Sequence, residues 1–133
     1  MFVNTIRVTA NTEDAAKGFA EALETEYLGP KLYLHDSSQE DNTVTFVVKT
    51  TWLPLDDKLL ELAAKYYYLD FTMKFECVAI PELQGYIAVR SLEVYYLDGV
   101  EHWDTPDEEI PEAHYWGNCF TIIKDGGMKC LRD

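Results

Sequence analysis

Strict alternation of apolar and polar residues limits the fold of this chain more than any other feature of its sequence. The alternation runs through three separate segments, 2–9, 43–51 and 69–78. A period of two places successive side chains on opposite faces of a strand. Each segment is therefore predicted to be a β-strand with one face in the core. Phe46 and Phe75 are expected to be buried on that face, against the helices.

Two segments between these strands have the 3.6-residue hydrophobic period of amphipathic helices. The first follows Asn11, the predicted N-cap, and is expected to end at the Gly-Pro pair 29–30. The second runs over 55–66. A short strand at 31–35 and a polar turn at 36–42 complete the order β-α-β-β-α-β. This order predicts an α+β fold, a ferredoxin-like split βαβ sandwich (alpha-beta plait) with two helices on a four-stranded antiparallel sheet.

The rest of the chain is predicted to extend this core rather than to form a second domain. The length of 133 residues is typical of one domain, and no linker or repeat divides it. We therefore predict a single domain over residues 1–133. Residues 1–80 would form the ferredoxin-like core, and residues 81–133 a β-hairpin and an acidic C-terminal extension.

The hairpin is predicted from one strong turn signal. Segment 85–97 is rich in β-forming residues, and the Asp-Gly pair at 98–99 favours a two-residue hairpin turn. The return strand is expected over Val100–Trp103. Residues 113–123 are apolar enough to dock on the core, but their pattern fits a helix and a strand equally well.

Two phrases of the sequence are distinctive. Residues 4–9 read NTIRVT ahead of an acidic-capped helix, and residues 43–54 lead through a helix into Leu-Asp-Phe at 69–71. Over residues 2–98 these phrases resemble the YubB-type ferredoxin-like domain proteins of plasmids and phages. Where that family often carries a Thr-Lys-Trp-Asp-like segment, residues 34–38 here read LHDSS. The resemblance implies a mobile-element origin and the ferredoxin-like fold, but no activity and no catalytic residue.

Acidic residues outnumber basic ones by more than two to one. The chain has 24 Asp and Glu against 11 Lys and Arg, so its formal net charge is −13. Proteins that bind nucleic acid gain affinity from Lys and Arg that neutralise phosphates, so direct nucleic-acid binding is not expected. The three cysteines have no C-x-x-C spacing, and no apolar run approaches the ~20 residues of a membrane span. The chain is therefore predicted to act in the cytoplasm and away from membranes.

His102, His114 and Cys119 are the candidate residues for an enzymatic function. Imidazole and thiolate ligands suit zinc, but the eleven and four residues between them match no compact zinc module. Cys119 also lacks an identifiable third group that would orient a Cys-His pair. A small metal- or cysteine-dependent hydrolase using these residues is the alternative hypothesis. The chain is predicted to be non-enzymatic, with no catalytic residue, metal or cofactor.

Residues 101–112, hereafter the acidic segment, contain six acids and no Lys or Arg. Charged loops often serve only solubility. The functional hypothesis is that the segment docks on a protein with a basic surface, from the host or the mobile element, in one form by mimicking a DNA backbone. Tyr and Trp near the segment would anchor the contact, since both are enriched at interface hot spots. The predicted partner-binding residues are Glu101, Asp104, Asp107, Glu108, Glu109, Glu112, Trp103, Tyr115 and Trp116.

The acidic segment is also predicted to be an exposed loop. Pro106 and Pro111 predict a loop or a short helical turn there rather than a strand, and Pro106 and the local charge density indicate exposure. Reversal of Asp107, Glu108 and Glu109 to Lys is therefore expected to leave the fold intact. The oligomeric state is left open by the sequence.

Overall fold

The computed structural model describes residues 1–23, 34–51, 54–111 and 113–125. In these residues the chain forms seven strands, three α-helices and a 3₁₀ turn. The strands are β1 (Phe2–Thr9), β2 (Leu34–Glu40), β3 (Thr43–Thr50), β4 (Asp70–Cys77), β5 (Gln84–Arg90), β6 (Glu93–Asp98) and β7 (His114–Asn118). The helices are α1 (Glu13–Ala22), α2 (Asp56–Lys65) and α3 (Cys119–Lys124), and the 3₁₀ turn is Asp107–Glu109.

All seven strands join one antiparallel sheet in the order β2-β3-β1-β4-β5-β6-β7. Strand β1 pairs with β3 on one side and with β4 on the other, so that Ile6 lies between Phe46 and Met73. These three side chains are buried together on the inner face, as the alternation predicts. Helices α1 and α2 pack their apolar stripes into the same core, and α3 packs beside α2. The strands predicted at 2–9, 43–51 and 69–78 are thus confirmed as β1, β3 and β4.

The predicted ferredoxin-like sandwich, or alpha-beta plait, is wrong. The molecule is dominated by its seven-stranded sheet, and its three helices have only ten, ten and six residues. Strand β4 is not an edge strand, because β5 pairs with it from Phe71 to Glu76. Strands β6 and β7 extend the sheet further. The physical reason lies in β5, which is buried on both faces from Gly85 to Val89 and is therefore stable only as an inner strand.

The predicted hairpin at Asp98-Gly99 is also wrong. The tight turn after β5 lies at Ser91-Leu92, whose φ angles of 50° and 72° suit a two-residue type I′ turn. Gly99 does adopt a positive φ of 82°, but residues 100–105 form turns and bends instead of a return strand. Cross-strand pairing of apolar side chains, such as Val89 with Val94, outweighs the local preference of the Asp-Gly pair.

Smaller departures from the predictions occur at element ends. Thr12, not Asn11, caps α1, because its hydroxyl accepts the amide of Ala15 at 3.1 Å. The polar turn predicted at 36–42 is mostly strand β2, and Asp41 alone has a positive φ, 54°, in the short turn to β3. The segment at 113–123 divides into strand β7 and helix α3. The predicted helix end at 29–30 lies outside the described residues, as do the first three residues of the strand predicted at 31–35.

The core prediction holds fully for one phenylalanine and partly for the other. Phe46 has no exposed surface, whereas Phe75 is half-buried and meets Phe2 edge to face with 6.2 Å between ring centroids. Cys77 and Cys119 are buried free thiols, and Cys130 lies outside the described residues. None of the helices in the described part of the chain combines the length and apolar character that a membrane crossing requires.

Candidate functional site

The acidic segment lies across the outer face of the sheet, opposite the helices. On β5, Ile87 and Val89 face the core, whereas Tyr86 and Ala88 face outward and yet are only 3% and 5% exposed. The ring of Trp103 meets that of Tyr86 edge to face, with 6.5 Å between centroids. A cavity of about 290 Å³ remains between β5 and the second half of the segment. The segment therefore packs on the sheet rather than extending into solvent as a free loop.

Trp103 fastens the first half of the acidic segment. Its ring centroid is 4.3 Å from Cζ of Arg7 on β1 and 5.2 Å from Nζ of Lys74 on β4. Both distances fall in the range of cation–π contacts. Nη1 of Arg7 also donates a hydrogen bond to the carbonyl oxygen of Trp103 at 3.3 Å. The half-buried indole thus contacts side chains from three neighbouring strands, β1, β4 and β5.

Arg90 fastens the second half of the segment. Its guanidinium donates to both carboxylate oxygens of Asp107, with Nε at 2.9 Å and Nη2 at 3.5 Å. The same guanidinium donates to the carbonyl of Phe71 at 2.7 Å and to Oγ1 of Thr72 at 2.8 Å. One side chain therefore joins β4, β5 and the 3₁₀ turn. Burial raises the pKa of neighbouring Tyr86, and Asp107 raises it further while Arg90 lowers it.

The acids of the segment fall into two groups. Asp104 pairs with Nη2 of Arg7 at 3.1 Å, although its side chain is 85% exposed, and Asp107 pairs with Arg90. Three more acids are exposed, and their carboxylates form no hydrogen bond or ion pair within the described part of the chain: Glu101, Glu108 and Glu109. Glu112 lies outside the described residues. The expectation that Asp107 can be reversed harmlessly is revised, since a Lys there would face Arg90.

The three aromatic residues predicted to anchor a partner occupy different environments. Trp103 is covered by the molecule's own cations, as described above. Trp116 is half-buried and packs on Tyr96, with 4.7 Å between ring centroids, and its Nε1 is buried without a hydrogen-bond partner in the described residues. Tyr115 is 60% exposed, and its hydroxyl donates to Glu93, which raises the pKa of Tyr115. Among the three, only Tyr115 has the exposure that a docking anchor needs.

The residues of the hydrolase hypothesis do not converge. Nδ1 of His102 lies 3.2 Å from Oγ1 of Thr105, and the His114 ring lies 5.0 Å from that of Tyr96. Cys119 has no exposed surface, and burial raises the pKa of its thiol to about 11, so a thiolate is disfavoured at neutral pH. Among the described residues, no group of three or more His, Cys, Asp or Glu side chains could hold a metal ion.

Sequence reasoning overlooked the basic residues that hold the acidic segment. Arg7, Lys74 and Arg90 lie on three neighbouring strands and share the outer face of the sheet. These bases could have been identified from the sequence, because they alternate with apolar residues that face the core and therefore lie on the opposite face. Read together with the acidic segment, three outward bases predict an intramolecular contact.

No family model matches this chain, and neither does any curated protein or solved structure. The relation to the YubB-type proteins therefore stays a prediction.

Proposed function

We propose that the protein is a non-enzymatic interaction module whose acidic segment docks on a basic surface of a partner protein. The observation that carries the proposal is the attachment of the segment to the sheet at Trp103 and at Asp107. Both attachments restrict the backbone before any partner arrives. A preorganised surface loses less conformational entropy on binding than a free loop does.

The exposed acids supply the attraction in this proposal. Glu101, Glu108 and Glu109 lie on the attached segment with their carboxylates in solvent. The net charge of −13 adds a long-range field that repels other acidic proteins and steers basic ones toward the molecule. Tyr115, exposed on the edge strand β7, offers an aromatic contact near the outer face.

The proposed partner is a protein, and the proposed compartment is the cytoplasm. A basic groove that normally holds nucleic acid is one surface of suitable chemistry, because rows of carboxylates can occupy sites for phosphates. A hydrolase built on His102, His114 and Cys119 gains no support from the geometry. Those side chains contact Thr105, Tyr96 and the buried core respectively, instead of one another.

The experiment compares three forms of the protein as bait in a host lysate, at low and at high salt. The first is wild type. The second is the triple variant Glu101→Lys, Glu108→Lys, Glu109→Lys, which leaves both attachments intact. The third is the control Asp36→Lys, Glu40→Lys, Asp70→Lys, which changes the net charge equally at exposed positions on β2 and β4.

Proteins retained by wild type are identified by mass spectrometry, purified and titrated against all three forms by calorimetry. We expect a basic partner whose binding weakens with salt, since the Debye length is ~8 Å at physiological ionic strength. The triple variant of the segment should bind it at least about tenfold more weakly, and the control should bind like wild type. Equal losses in both variants would attribute the binding to net charge alone. Unchanged binding by the segment variant would refute the proposal.

A further inference from the structure

A second cavity lies on the other face of the sheet and has no part in the proposed docking. It encloses about 480 Å³ beside the start of α2, where β1 and β5 begin and β4 and β6 end. Small-molecule sites typically occupy ~300–1,000 Å³ and are lined mainly by apolar and aromatic groups. The cavity has the size of such a site.

Two pairs of aromatic rings line this cavity. Phe2 and Phe75 meet edge to face, and Tyr96 and Trp116 stack at a tilt with their centroids 4.7 Å apart. Gly85 makes the first pair possible, because a Cβ at this position would lie 2.5 Å from Cζ of the Phe75 ring. The ring of Phe75 therefore rests directly on the backbone of β5 and leaves the space beside it open.

Charge in the cavity has one sign only. The described residues that line it include three acids, Asp56, Glu82 and Asp98, and no Lys, Arg or His. Glu82 and Asp98 are exposed at the rim, whereas Asp56 is only 3% exposed, at the start of α2. An anion entering this cavity would be repelled, and a cation would be attracted both by the carboxylates and by the faces of the aromatic rings.

We infer that this cavity binds a small aromatic organic cation. The planar ring of the ligand would insert among the four aromatic side chains, and its protonated amine would face the carboxylates of Glu82 and Asp98. The inference rests on the inner face alone. It holds or fails independently of the acidic segment on the outer face.

The test uses three indoles of similar shape and different charge, titrated by calorimetry at neutral pH. Tryptamine carries an ammonium group, 3-ethylindole is neutral, and indole-3-propionate carries a carboxylate. We expect tryptamine to saturate one site with a dissociation constant of about 1 mM or tighter, and the propionate to bind at least about tenfold more weakly. Absence of saturable tryptamine binding, or equal affinity for the anion, would overturn the inference.

Two double variants distinguish the effect of the rim carboxylates on affinity from the effect of the overall charge. The double variant Glu82→Gln, Asp98→Asn should lower tryptamine affinity about fivefold to tenfold and leave 3-ethylindole binding unchanged. The matched control Glu108→Gln, Glu109→Gln removes the same charge from the acidic segment and should bind tryptamine like wild type. Equal tryptamine affinity in the two double variants would contradict the role given to the rim.

The tryptophans of the chain locate the bound ligand. In a nitrogen–proton correlation spectrum, the indole Nε1–H signal of Trp116 should shift on addition of tryptamine, because Trp116 lines the cavity. The signal of Trp103 should stay in place, because Trp103 lies on the outer face against Arg7. The chain has three tryptophans, so the variants Trp103→Phe and Trp116→Phe are used to assign these two of its three indole signals. A shift of Trp103 without a shift of Trp116 would place the ligand elsewhere and refute the inference.

Discussion

Replacement of Trp103 by alanine should release the first half of the acidic segment from the sheet. The substitution removes two cation–π contacts, with Arg7 and Lys74, and each is worth ~0.5–1 kcal/mol at a partly exposed site. It also removes the edge-to-face contact with Tyr86, and such pairs contribute ~0.5–1.5 kcal/mol. Together these contacts predict a loss of about 1.5–3.5 kcal/mol in the free energy of unfolding.

Urea denaturation measures this loss, and hydrogen–deuterium exchange shows where it acts. In Trp103→Ala the amides of residues 101–105 should exchange much faster than in wild type, while the amides of β1 and β3 keep their protection. The control is Asp104→Asn, which removes an ion pair whose carboxylate is 85% exposed. That change should cost less than about 0.5 kcal/mol, because exposed ion pairs contribute little.

Two results would refute this reasoning. The first is an Asp104→Asn variant as unstable as Trp103→Ala, which would make the ion pair the main attachment. The second is rapid exchange of residues 101–105 already in wild type, which would mean that the indole does not hold the segment.

Three further predictions concern the sheet and the core. Arg90→Met should lower the free energy of unfolding, measured with urea, by about 2–4 kcal/mol, because it removes hydrogen bonds to β4 and β5 as well as to Asp107. Asp107→Asn should lower it by only about 0.5–1 kcal/mol, and equal losses would contradict a main role of Arg90 in joining the strands. Asn4→Ala should also lower the free energy of unfolding by about 2–4 kcal/mol, because the fully buried side-chain amide donates two hydrogen bonds to β3 and accepts one from the backbone amide of Leu55 at 2.9 Å. An unchanged melting temperature would contradict the importance of those contacts. Burial raises the pKa of Cys119 from 9.0 to about 11, so the contribution of its neutral thiol to the free energy of unfolding should be complete below pH 9 and lost as the pH rises to about 11. At pH 8.5, iodoacetamide should label the Cys119 thiol far more slowly in the native protein than in the unfolded one, and equal rates would disprove the burial.

Local patterns predict most of the elements but not how far the sheet extends. The alternation in 2–9, 43–51 and 69–78 depends only on residues near each other, and the strands it predicts are present as β1, β3 and β4. Whether β4 is an edge depends on its pairing with β5, which the order of elements leaves open. An Asp-Gly pair favours a turn locally, but cross-strand packing selects Ser91-Leu92 as the hairpin turn.

The candidate site, too, can be predicted only in part from residues that are close in sequence. The acids of the segment are visible in the sequence because all six lie within twelve positions, 101–112. Their attachment is not, since Arg7 and Asp104 are 97 positions apart and Arg90 and Asp107 are 17 apart. The sequence predicts Trp103 as an anchor for a partner, whereas its contacts in the fold are with the protein's own sheet.

The central claim is that the acidic segment is held against the outer face of the sheet. The most direct measurement is a nuclear Overhauser spectrum of the isotope-labelled protein, recorded for the protons of the Trp103 indole. The account predicts cross-peaks from the indole to the side chains of Arg7 and Tyr86, with ring-current shifts of the Arg7 Hδ protons. Narrow, random-coil signals for residues 101–111, with no cross-peak from Trp103 to either side chain, would contradict it.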